Sequence, residues 1–147
     1  MRPSHWCAVA ALLAASRLLP AQSNSISLTA PGQLTVSTAF AGSQPVTSTD
    51  QTARCAVTVV GARMKITGYL DTPMPAGVTL TLSIAAPTGA VSLGAVTLTG
   101  SAQDLVRYID AGTYTGLTAT FALTATVSAG VTPYTSSHVI LTLTVDP

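Results

Sequence analysis

Between Leu117 and Ser128 the chain alternates apolar and small polar residues almost without fault. Leu117, Ala119, Phe121, Leu123, Ala125 and Val127 fall on one parity; Thr118, Thr120, Ala122, Thr124, Thr126 and Ser128 fall on the other. A period of two is that of a strand with one face in a core and the other in water. The same pattern returns in Val139, Leu141, Leu143 and Val145. No stretch of ten or more residues carries a helical period. The chain must therefore fold as a sheet around Gly112–Pro147, with the closing strand His138–Val145 expected beside the long central one.

Upstream, further alternating runs are punctuated by Gly and Pro. Gln22–Ala30 is a first strand through Ile26, Leu28 and Ala30, and Pro31-Gly32 a turn. Gln33–Thr38 reads as a second short strand, and Phe40–Ala53 as a loop. Cys55–Val60 is a strand, and Gly61-Ala62 suits a tight hairpin into Arg63–Leu70. In that return strand Met64, Ile66, Gly68 and Leu70 share one face, and Arg63, Lys65, Thr67 and Tyr69 the other. Asp71–Gly77 is a proline-rich bend. Val78–Ala85 follows, with Val78, Leu80, Leu82 and Ile84 inward, and Pro87-Thr-Gly89 turns it. In Val91–Thr99 the parity slips by one residue near Gly94, as at a β-bulge. Gln103–Ile109 suits a short strand or a helical turn equally. Seven or eight strands at this spacing predict an antiparallel β-sandwich, immunoglobulin-like or Greek-key. An outer-membrane barrel is excluded by the scarcity of aromatics, which cannot supply two girdles.

Residues 1–21 read as a signal peptide. Arg2 supplies a positive start, Cys7–Ala15 an apolar run too short to span a bilayer, and Leu19-Pro20-Ala21 a small-residue cleavage site. The expectation is an exported chain, periplasmic, cell-surface or extracellular, with one domain over 22–147 and no membrane span in its mature form. That domain holds Arg54, Arg63, Lys65 and Arg107 against Asp50, Asp71, Asp104, Asp110 and Asp146, or 4 − 5 = −1. No basic patch offers itself to nucleic acid. The 24 threonines of the chain stand in for charge on its surface, and it has no glutamate. Cys55 is the one cysteine left after cleavage; its parity with Val57 and Val59 predicts a buried thiol.

Chemistry is sparse. His138 is the one histidine beyond the leader, no Gly-x-Ser-x-Gly elbow occurs, and one Cys and one His cannot make a zinc site. Asp104 and Asp110 flank one segment but do not form a calcium loop. The expectation is a protein that is not an enzyme and takes no cofactor. Two sets of residues are candidates for contact. Ile26 and Leu28 could plug a neighbour's sheet by strand donation. Arg63, Lys65 and Tyr69 share a strand face and form a ligand or partner patch, or else a solvated, edge-guarding face. Tyr114 and Tyr134 suit packing at strand ends.

Gly112-Thr-Tyr114-Thr-Gly116, then a Thr-rich alternating strand and His-Val-Ile-Leu-Thr-Leu-Thr-Val145, resembles the C-terminal part of secreted bacterial pilin-like and spore-coat-U-type β-sandwiches. The likeness covers Gly112–Pro147. Those families usually carry a cysteine pair where this chain has Cys55 alone, and often a penultimate tyrosine where it has Asp146. The resemblance implies an exported structural or interaction module of the cell envelope, a pilin-like subunit meeting itself or other envelope proteins through sheet edges. The alternative is a non-catalytic envelope module that binds a small ligand or carbohydrate.

Overall fold

Two antiparallel sheets face one another across a single apolar layer. The computed structural model describes residues 22–36, 45–129 and 136–147. The leader, Phe40 and Tyr134 lie outside the described residues. Ten strands are present among those described: β1 (Ser25–Leu28), β2 (Val46–Asp50), β3 (Arg54–Val59), β4 (Met64–Leu70), β5 (Val78–Ile84), β6 (Val91–Ser92), β7 (Val96–Thr97), β8 (Gln103–Ile109), β9 (Gly112–Ala125) and β10 (Val139–Val145). One sheet has the order β1-β3-β9-β5-β7, with β2 also on β9; the other has the order β10-β4-β8-β6. Neighbours such as β3 with β9 and β9 with β5 are remote in sequence, so the chain crosses repeatedly between layers. The predicted antiparallel sandwich is the architecture found.

The inward parity of each strand supplies the core. Phe121, Ile66, Leu70, Leu82, Ile84, Leu105, Ile109 and Val57 are its largest fully buried side chains. Burying each such side chain contributes about 1.5–3 kcal/mol. Cys55 is buried with them, and burial pushes its thiol up to about 11. Gly68 makes room for side chains of the two strands beside β4: a Cβ there would lie 2.8 Å from Leu105 Cδ1 on β8 and 3.1 Å from Leu141 Cδ2 on β10.

β9 is the longest strand, at 14 residues, and it begins five residues earlier than the alternation alone indicates. Its start keeps to β3 and its end to β5 and β2. Val127 lies in a short 3-10 turn, Val127–Ala129, and not in the strand. β2 and β3 together run along one side of β9. Asp50 stands opposite Phe121 and Arg54 opposite Thr118, so the broken strand carries one extra residue at the join. The Asp50 carboxylate accepts bonds from the Thr52 hydroxyl (2.9 Å) and the Gly32 N–H (3.1 Å). Burial opposes its ionisation, but these bonds prevail and hold the carboxyl below its usual value.

Five sequence expectations are corrected. Residues 33–36 form no strand. The segment read as a loop over 40–53 contains β2, whose Thr-rich sequence has only one half-buried face. Gly61-Ala62 does not close a hairpin, because β3 and β4 belong to opposite sheets and the link carries the chain across the core. β10 pairs with β4 and not with β9. The parity slip at Gly94 is no bulge: β6 joins β8 in one sheet and β7 joins β5 in the other. Gly94 turns between them at φ +73°, a conformation that suits glycine. The ambiguous Gln103–Ile109 is a strand, β8.

Ser25 stands opposite Thr58, next to the end of β3, and Val145 stands opposite Met64, at the start of β4. The outset of β1 and the finish of β10 therefore lie at the same end of the sandwich, where residues 60–63 cross between the layers.

Candidate functional site

β1 brings its alternate residues under the sheet. Ile26 stands opposite Val57 and Leu28 opposite Cys55, both buried, so Ile26 and Leu28 face the core and are themselves half-buried. β1 and β10 border the same side of the two layers. Between them runs an apolar groove of about 600 Å³. Ile26, Leu28 and Leu34 form one wall, Val139 and Leu141 the other, and Leu80 and Phe121 the floor.

One polar clasp sits at the rim. The Asp71 carboxylate accepts from the His138 N–H at 2.7 Å, and its second oxygen lies 2.7 Å from His138 Nδ1. The Ser137 hydroxyl donates to the Thr72 carbonyl at 2.6 Å. These bonds join the bend after β4 to the start of β10. The His138 N–H, then its ring, hold the Asp71 carboxyl below its usual value. The sequence showed His138 as a solitary ring because its partner lies 67 positions away. An Asp-oriented imidazole is one part of a catalytic constellation, and a placed nucleophile is another. Among the described residues, the hydrogen bonds join no nucleophile to this ring. Among them too, no three His, Cys, Asp or Glu side chains group so as to hold a metal. No helix among them is long and apolar enough to cross a membrane.

The second candidate set lies on the outer face of the other sheet. Lys65 and Tyr69 share that face on β4, four residues apart, or ~13 Å along a strand. Lys65 Nζ pairs with Asp104 at 2.9 Å, and Arg63 Nε with Asp110 at 2.9 Å. Both cations thus turn toward the β8 side. The two aspartates weighed as a calcium site are taken up by these cations.

A neighbouring cluster joins Asp146, Arg107 and Tyr108, a grouping that the sequence did not reveal. Asp146 has a fully buried side chain and accepts from the Arg107 guanidinium and from the Tyr108 N–H at 2.8 Å. The Arg107 bonds, ahead of every other contribution, hold the Asp146 carboxyl below its usual value. Tyr108 has φ +63°, at a place where the β4–β8 register shifts. Arg107 lies 4.9 Å and Arg63 5.8 Å from the centre of its ring, within cation–π range. Tyr114 packs against the core, its hydroxyl donating to the Asp110 carbonyl at 3.2 Å.

No family model matches the chain, and neither does any curated protein or solved structure.

Proposed function

We propose that this chain is an exported, non-enzymatic structural or interaction module of a bacterial cell envelope that assembles through its sheet edges, a pilin-like subunit. The observation that carries this reading is the apolar groove between two terminal strands, β1 and β10, with core residues Phe121 and Leu80 at its floor. An extended segment of a neighbour laid in such a groove gains main-chain bonds from a strand edge and sites for alternate side chains. In the strand-donation version the donor is β1, with Ile26 and Leu28 as plugs, and its pairing with β3 is the resting arrangement.

Ser25 and Thr58 are register partners on β1 and β3. A disulfide between Ser25→Cys and Thr58→Cys would lock β1 in its own sheet. Strand donation predicts that the oxidised protein forms no fibres in electron micrographs and that reduction restores them. Fibres from the locked protein would sink strand donation. The alternative, a ligand-binding envelope module, draws on the same groove, whose volume falls in the ~300–1,000 Å³ range of ligand pockets. The locked protein separates the two: a ligand pocket keeps its thermal-shift response to ligand with β1 fixed.

A further inference from the structure

The terminal strands of the two sheets are unequal. β6 and β7 have two residues each, β1 four, and β10 seven. Long edges in natural proteins are guarded by charge, proline or a bulge, because their free N–H and C=O groups recruit other strands. β10 reads Val-Ile-Leu-Thr-Leu-Thr-Val, without a charge or a proline, and its register on β4 is uninterrupted. Two bonds fix which of its polar groups are spoken for. Asp71 N–H donates to the His138 carbonyl, and Asp146 N–H donates to the Arg63 carbonyl. With the register constant between them, the even-numbered residues of β10 bond to β4. The N–H and C=O groups of Val139, Leu141, Leu143 and Val145 then point away from β4, to an edge that no strand among the described residues covers.

The strand is also nearly its own reverse. Run antiparallel against a copy of itself about Thr142, it sets Val139 against Val145, Leu141 against Leu143, Thr142 against Thr142 and Ile140 against Thr144. Only the last pair is unlike. In this register the residues whose polar groups face away from β4 meet one another, and the core-side residues stay on one side of the joined sheet.

We infer that β10 pairs antiparallel with β10 of a second copy about a two-fold axis at Thr142, joining two four-stranded sheets into one. This rests on the reading of the chain as a module that assembles through sheet edges, and it names the edge and the partner. It does not need β1 to leave its place. The contact is isologous, so it closes as a dimer and cannot by itself propagate. The net charge of −1 over residues 22–147 puts little repulsion in the way. Leu141 and Leu143 of the second copy extend the apolar layer beside the groove.

Sedimentation equilibrium of the purified protein at ~1 mM tests the dimer, since at that concentration a complex with Kd ~1 mM is about half formed. The wild type is expected to show a mass rising toward twice that of the chain. Thr142→Asp and Thr142→Lys each set like charges at the axis and are expected to be monomeric, while an equimolar mixture of the two dimerises. A monomeric wild type, or homodimers that survive both substitutions, overturns the inference. Thr142→Cys is a milder probe. The two Cα atoms at the axis would lie ~4.5 Å apart, within disulfide reach. Oxidation is expected to give a covalent dimer from Thr142→Cys and none from Ile140→Cys, which stands opposite Thr144; equal cross-linking at both, or at neither, overturns the register. The Ser25–Thr58 lock leaves β10 untouched, so failure of strand donation and failure of this dimer are read separately.

Discussion

Asp146 shows how much a single side chain can organise. Its carboxylate is removed from solvent, yet it is satisfied by the Arg107 guanidinium and the Tyr108 N–H. The second bond comes from Tyr108, which adopts φ +63°, a conformation that costs a bulky residue about 1–3 kcal/mol. A carboxyl held below its usual value in the folded state stabilises that state above the unfolded value of ~3.9, and the contribution fades as pH falls through the folded value. Asp146→Asn is therefore expected to melt at a lower temperature than wild type near neutral pH, with the gap closing below about pH 4. An equal gap at about pH 7 and about pH 2 in calorimetry would remove the charge from the account. None of this was legible in the sequence. Asp146 meets Arg107 across 39 positions, and nothing local marks either residue.

At the scale of elements, a prediction falls on the switch between sheets. Gly94 has open space around it, so an alanine there meets no clash and feels only the backbone. With φ at +73°, Gly94→Ala is expected to cost about 1–2 kcal/mol in urea unfolding. An unchanged midpoint would show that the turn has no need of glycine. The sequence disclosed which segments are strands and which residues face inward, because burial on one face imposes a period of two that local sequence must obey. Val78–Ile84 follows it, as do the core residues of β9, and Met64–Leu70 departs from it only at Thr67, which is buried and shares a hydrogen bond with the Thr142 hydroxyl. It did not disclose partners. Gly61-Ala62 is as short as a hairpin loop, yet it carries the chain across the core. The choice between pairing with a neighbour and crossing to the other layer is made by the whole core, and no dipeptide records it. The slip at Gly94 was visible as a change of parity, and both a bulge and a change of sheet produce that signal. The candidate site was legible in the same partial way. Ile26 and Leu28 were marked by alternation, whereas the wall opposite them came from β10, more than a hundred positions away.

Over the whole molecule, charge is gathered in one place. Arg63, Lys65 and Arg107 pair with Asp110, Asp104 and Asp146 on or beside the outer face of the β10-β4-β8-β6 sheet. Of the other charged residues between 22 and 147, Arg54 and Asp50 serve the join of β2 and β3, and Asp71 clasps the start of β10. The remaining surface is largely hydroxyl and alkyl, which leaves hydrogen bonding and apolar contact as its means of association. A different consequence follows from the shared end of β1 and β10. A force drawing Ser25 and Val145 apart acts across the strands, so it opens the β1–β3 and β10–β4 ladders one rung after another. No ladder is made to slide as a unit. Stretched between these points in a force-spectroscopy trace, the domain is expected to give way at lower tension than when gripped at Met64 and Val139, at opposite ends of the β4–β10 ladder, where the load runs along the strands and shears their bonds together. As a link in a chain loaded through these two points, it would be a yielding one.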